Sequence, residues 1–233
     1  MSREESMSLE DSLWRDSSAP VKPGPAWGMV VEREVVEREI LEREEDVGVI
    51  RAREALLELS RTAALAAQTL PTQIAEAGAV CADSIRGGGK ILACGNGGSA
   101  ADAQHFVAEL IGRMGMERAA LPAVSLTVDP SVITCIANDY GYEEVFARQV
   151  RGLGRPGDVL VGMSTSGTSK NVLAALDAAN ELGLTTIAIV GQGGSPVADL
   201  VLRAPSRHTA RVQEIHTAAL HAICDVAEQL LFG

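Results

Sequence analysis

KILACGNGGSAADAQHFVAELIGR, residues 90–113, carries the pattern on which the fold turns. Lys90–Cys94 reads as a short apolar strand ending in Gly95, and a helical stretch follows over roughly 99–113. The same alternation continues downstream. A strand at 122–127 precedes helical segments near 130–137 and 143–152. Gly157-Asp158 introduces the strand Val159–Met163, and a helix over 168–182 follows that Gly183 ends. The strands Thr185–Val190 and 200–203 come next, then a long final helix over 210–231. Upstream, residues 49–68 and 72–86 read as two helices separated at Pro71. Strands this short and this continuously apolar, alternating for the most part with helices, belong to a parallel sheet covered on both faces. The expected fold is α/β: one doubly wound, five-stranded parallel sheet with helices on both faces, occupying residues 47–233.

Residues 1–46 differ in kind. They carry 13 acidic and 6 basic side chains of a chain whose net charge is −11. Residues 1–28 are rich in Ser, Pro and acid and predict a disordered tail. Val30–Glu44 repeats a five-residue unit, Val-Val-Glu-Arg-Glu twice and then Ile-Leu-Glu-Arg-Glu. Five residues advance about 500° around a helix, so the apolar pairs form no single stripe. A solvated helix, or a segment ordered against a partner chain, is the expected outcome, and Met29 is an alternative start. The acidic balance, with no Lys/Arg cluster and no interleaved aromatics, argues against nucleic-acid binding. No apolar run reaches the roughly 18–20 residues of a membrane span, and the N-terminus lacks a secretory signal's apolar core. A cytoplasmic protein is expected. Cys81, Cys94, Cys135 and Cys224 are far apart and predict reduced, mostly buried thiols.

In doubly wound sheets, ligands bind beyond the carboxyl ends of the strands, at helix N-termini. Two strand ends carry suitable residues. Gly95-Asn96-Gly97-Gly98-Ser99 lets backbone approach a ligand closely, although a plain strand–helix turn uses the same residues. Ser164-Thr165-Ser166-Gly167-Thr168-Ser169 sets five hydroxyls against the free N–H groups of a helix start, more than capping requires. It predicts a neutral phosphate cradle. On the helix after the glycine turn, His105 and Glu109 are four apart and share a face, as a metal pair, an acid/base pair or a solvated ion pair. Gln213, Glu214, His216 and His221 lie on the final helix. Gln213 and His221 are about 12 Å apart along its axis, so their meeting with His105 and Glu109 would come naturally from more than one chain.

The runs GNGGSAADAQHFVAEL, ANDYGY, STSGTS and RVQEIHTAALH, in this order and spacing, closely resemble the phosphoheptose isomerases of the sugar isomerase (SIS) superfamily. The resemblance covers roughly residues 47–233. It implies a flavodoxin-like SIS domain, a homotetramer with active sites at subunit interfaces, and conversion of D-sedoheptulose 7-phosphate to D-glycero-D-manno-heptose 7-phosphate. By position it implies that Asn96, Gly97, Gly98, Ser99, Asn138 and Asp139 contact substrate, with Glu109 and Gln213. It assigns the phosphate to Ser164, Thr165, Ser166 and Ser169, acid/base catalysis to Glu109 and His221, and one Zn2+ per subunit to His105, Glu109, Gln213 and His221. The chemistry suits these types: a carboxylate can move the carbon-bound proton between C1 and C2, and an imidazole the oxygen-bound one. A non-enzymatic SIS adaptor that binds the bacterial replication initiator shares fold and pattern, but has no need of Glu109 and His221 together. A SIS regulator would carry a DNA-binding module, and none is visible in the sequence.

Overall fold

The computed structural model describes residues 46–233; the expected disordered stretch and the five-residue repeat lie outside the described residues. The chain divides after Ile50, and the unit Arg51–Gly233 carries the sheet. In chain order the elements are α1 (Val47–Thr69), α2 (Pro71–Arg86), β1 (Ile91–Gly95), α3 (Gly98–Ile111), β2 (Ala123–Ser125) and α4 (Pro130–Tyr140). A 3-10 turn (Tyr142–Glu144) leads into α5 (Ala147–Leu153), β3 (Val159–Ser164), α6 (Lys170–Glu181), β4 (Thr185–Val190), β5 (Leu200–Arg203) and α7 (Thr209–Phe232).

The five strands pair in the order β2-β1-β3-β4-β5, every pair parallel. Side chains alternate across the sheet. Ile91, Ala93, Val159, Val161, Met163, Ile187 and Ile189 join one core with α2, α3 and α7. Leu92, Cys94, Leu160, Ala188 and Val190 join a second core with α4, α5 and α6. Both faces are buried, which is why the strands read as apolar runs without alternation. The order reverses direction at β1 and β3: β1 connects outward to β2 on one side, and β3 to β4 on the other. A crevice opens at the carboxyl ends of strands flanking such a switch point. The loops after β1 and β3 are the glycine-rich turn and the hydroxyl-rich turn.

Three elements differ from expectation. The strand expected at 122–127 contracts to β2. The helix expected near 130–137 continues to Tyr140. Asp129 caps its start by accepting from the Ser131 and Val132 N–H groups, with Pro130 at the first position, and Gly141 stops it by turning to φ +93°. Asn138 and Asp139 therefore ride on the last turn of α4. The stretch at 143–152 splits into the 3-10 turn and α5. All four cysteines are free; Cys135 is exposed and the others are buried, with burial pushing the Cys81 and Cys94 thiols up to about 12.

A cavity of about 600 Å³ opens at the opposite, amino end of the sheet, beside Gly87–Gly89 and Asp158. Asp158 there is consumed by its own scaffold: it accepts from the Lys90 N–H, the Lys90 ammonium and the Arg155 N–H. That end is a structural knot. Among the described residues no helix is long and apolar enough to cross a membrane.

Candidate active site

The hydroxyl-rich loop forms a closed network. Ser164 Oγ lies 2.8 Å from Ser169 Oγ and accepts from the Gly167 N–H. Ser166 Oγ accepts from the Thr168 N–H and hydroxyl. Ser169 stands at the N-cap of α6, yet its side chain does not cap the helix. The first-turn N–H groups and the hydroxyls thus remain together where an anion would sit. A second loop supports the cradle from behind. Gly191–Gly194 packs backbone against backbone on Ser166 and Gly167, and Arg203 holds it by donating to the carbonyls of Gly191 and Gly193.

Gly194 takes φ +61°, and a Cβ there would collide with the Gly167 backbone carbonyl. Gly194→Ala is expected to cost about 2 kcal/mol through strain and displacement of the cradle. It should weaken anion binding at the cradle with little effect on the helix seam described below; calorimetric titration with a phosphate monoester measures this.

The second half of the site is a seam between two helices. Gln213 packs its carboxamide against Gly98, where any side chain would collide with it. One turn on, the Thr217 hydroxyl donates to Asp102 Oδ1 at 2.9 Å. One turn further, His221 Nε2 lies 3.2 Å from His105 Nε2. These pairings advance together along the chain, so α3 and α7 lie side by side and parallel. His105 Nε2 also lies 3.0 Å from Glu109 Oε1. The donor atoms of His105, Glu109 and His221 all fall within 4.8 Å of one another, and the imidazole rings meet edge to face at 4.8 Å.

Two imidazole nitrogens facing each other at 3.2 Å need either a shared proton or a shared cation. Ligands around a tetrahedral zinc stand about 3.3 Å apart at Zn–N of about 2.05 Å, so the observed spacing fits such an ion. His105 and His221 supply imidazole nitrogens and Glu109 a carboxylate oxygen, donor types that zinc binds.

The far end of the seam is locked by a buried ion pair. Arg118 and Glu228 are each 1 % exposed at the side chain. Arg118 Nε donates to Glu228 at 2.7 Å, while its remaining nitrogens donate to the carbonyls of Glu109, Leu110 and Ala119. The terminal carbonyls of α3, including that of Glu109, are capped by a guanidinium fixed to α7. Glu228 also accepts from the N–H groups of Met114, Gly115 and Met116. Burial alone would raise its pKa; the three N–H groups and Arg118 outweigh that and hold it down at about 2. Between the two ends, burial raises the Asp102 carboxyl, while the Thr217 bond and nearby His105 oppose it.

The structure thus brings His105, Glu109 and His221 together within a single chain. Gln213 stands two helical turns away, beside Gly98. Asn138 and Asp139 are exposed and bonded to each other. Asn96 is bonded to Asn171 and Tyr142. The reading of the sequence passed over the Gly191–Gly194 loop, Asn171 and the Arg118–Glu228 pair. A glycine cluster just after a strand was a signal for the first. The other two depend on contacts spanning 75 and 110 residues, for which local sequence holds no cue.

A family model described as the SIS domain matches residues 57–191. The chain is 51 % identical over 182 residues to the phosphoheptose isomerase of Alkalilimnicola ehrlichii, an alignment covering 76 % of this chain and 93 % of that one. It superposes on the phosphoheptose isomerase of Neisseria gonorrhoeae with a TM-score of 0.73 at 45 % identity, over 77 % of this chain and 97 % of the other. For the Francisella tularensis phosphoheptose isomerase the TM-score is 0.76 at 36 % identity, over 79 % and 100 %.

Proposed function

The chain belongs to the SIS-domain family and, within it, to the phosphoheptose isomerases, and we propose that it converts D-sedoheptulose 7-phosphate to D-glycero-D-manno-heptose 7-phosphate, the entry to nucleotide-activated heptoses. The observation that carries this reading is the meeting of Glu109, His105 and His221 on one helix seam, in a molecule whose switch-point loop is a hydroxyl-lined cradle. An adaptor gains nothing from three such side chains turned on one another.

Ser164, Thr165, Ser166 and Ser169 hold the phosphate through hydroxyls and N–H groups, so an acidic protein binds an anion without net positive charge. Asn96, Gly97, Gly98, Ser99, Asn138 and Asp139 line the sugar. Glu109 takes the proton from C1 of the ketose and returns it to C2 of the enediol. His221 moves the proton between the two oxygens. Glu109 is half-buried, which keeps the carboxylate beside the reacting carbons and limits competition from water. A zinc ion would be held by His105, Glu109 and His221 with Gln213 as fourth donor, and would polarise the carbonyl and stabilise the enediolate.

Gln213 is the donor this chain holds apart from the others, which agrees with a homotetramer whose sites form at subunit interfaces. Leu56, Leu57 and Leu65, exposed by 68 %, 48 % and 44 % on α1, supply apolar surface for such contacts. Residues 47–233 form the isomerase domain and 1–46 an extension to it. The cytoplasm, where sugar phosphates are made and used, is the proposed location.

The deciding experiment incubates metal-replete protein with sedoheptulose 7-phosphate and follows the aldose by NMR. Turnover that stops on chelation and returns with zinc is expected. Turnover that survives chelation would remove the metal and keep the enzyme. No turnover in either state would favour the adaptor.

A further inference from the structure

Asn171 sits on the first turn of α6, two residues beyond the cradle, and is 2 % exposed. Its carboxamide makes a reciprocal pair with that of Asn96 on the glycine-rich turn. Asn96 Nδ2 donates to Asn171 Oδ1 at 2.8 Å, and Asn171 Nδ2 donates back to Asn96 Oδ1 at 2.8 Å. Tyr142, from the 3-10 turn after α4, donates its hydroxyl to the same Asn96 oxygen at 3.1 Å. An amide oxygen has two lone pairs, so Asn96 Oδ1 is fully engaged within the protein, and one N–H of its NH2 group is engaged as well.

One side chain therefore ties together three segments: the loops after β1 and β3, and the turn after α4. The neighbouring backbone is arranged in the opposite way. Gly97 takes φ +56° and has nothing within 4 Å of where a side chain would be. It stands open at the start of a helix that no side chain caps.

We propose that Asn171 is a positioning residue for the isomerase reaction, acting through the Asn96 carboxamide to fix the glycine-rich turn at a set distance from the phosphate cradle. On this view Asn96 serves the sugar through the backbone of its turn, and its side chain is a strut. Asn171 is too buried to touch ligand itself. The inference rests on the isomerase reading for its substrate but not for its geometry. The fixed spacing matters because a sugar phosphate anchored at one end presents its reacting carbons only as accurately as the distance between the two loops is held.

The test is a double-mutant cycle with Asn96→Ala, Asn171→Ala and the two combined, read as kcat and KM for sedoheptulose 7-phosphate. Loss of one or two buried hydrogen bonds predicts a fall in kcat/KM of about ten- to a hundredfold for either single variant. The double variant should fall within about threefold of the worse single one, because both remove the same pair. The loss should appear in kcat as well as KM, whereas a purely structural effect would lower thermal stability and leave both constants of the folded enzyme unchanged. Wild-type kinetics for Asn171→Ala, or losses that multiply in the double variant, would overturn the proposal. If Asn171→Ala does not fold, Asn171→Asp keeps the volume and the acceptor while losing the donor to Asn96, and the same coupling is read from it. The cycle is repeated by calorimetry with the same sugar phosphate. Coupled losses of binding in a protein that shows no turnover would discard the isomerase and retain the strut; uncoupled losses in an active enzyme would do the reverse.

Discussion

Glu109→Gln is expected to lower turnover of sedoheptulose 7-phosphate by about a thousandfold, within the range that one positioned acid/base group contributes. Gln is nearly isosteric and keeps an oxygen that can face His105 Nε2, where Glu109 Oε1 now lies at 3.0 Å. Arg118 continues to hold the backbone carbonyl at position 109, so the helix end is unchanged. What is lost is the ability to accept a proton from carbon. With phosphate recognition proposed for the loop after β3, the calorimetric dissociation constant for sugar phosphate should stay within a few-fold of wild type. Metal content is measured on the same samples, which separates loss of the base from loss of a cation donor. Turnover within twofold of wild type would remove Glu109 from the proton transfer.

That variant could be named before any coordinates, because the family resemblance assigns Glu109 the acid/base role and much of the rest of the site is local in sequence. The loops after β1 and β3 announced themselves as Gly95–Ser99 and Ser164–Ser169, between apolar runs and helical ones. The four-residue spacing of His105 and Glu109 is a property of any α-helix. The meeting of His221 with His105 is of another kind. It needs α3 and α7 to pack parallel in one register, with Gly98 small enough to admit Gln213 and Asp102 placed to receive Thr217. These contacts join residues more than 110 positions apart, and no periodicity within either helix encodes them. Considered alone, the final helix puts Gln213 and His221 about 12 Å apart, and more than one chain is the natural way to gather all four donors. The register of the seam brings three of them together in one. The same reason hid Asn171 and Arg118: each reads as an ordinary polar residue until the element it reaches is in place.

The clamp at the end of that seam governs stability. Glu228→Ala is expected to destabilise the protein by about 4 kcal/mol, since it leaves the Arg118 guanidinium buried without its anion and three N–H groups without an acceptor. For a chain of this size that is a fall in Tm of roughly 10 °C by calorimetry. Glu228→Gln keeps the shape and should lose less. The clamp also predicts how the protein meets acid. Glu228 is held at about 2 against an ordinary 4.5. A depressed carboxyl contributes stability that is present in full above pH 4.5 and is lost as pH falls through 2, amounting to about 3 kcal/mol. His216 acts earlier on the same descent. It is 0 % exposed with neither ring nitrogen hydrogen-bonded in good geometry, and burial lowers it to about 4, with the Val190 backbone offsetting a little of that. The unfolded chain binds this proton first, so its contribution is complete above about pH 6.5 and is lost as pH falls through 4. Stability measured by denaturant titration should therefore decline in two stages, the first below pH 6.5 and the second below pH 4.5. Glu228→Gln should erase only the second. A variant that keeps the lower stage intact would show that Glu228 is not the group the fold holds ionised.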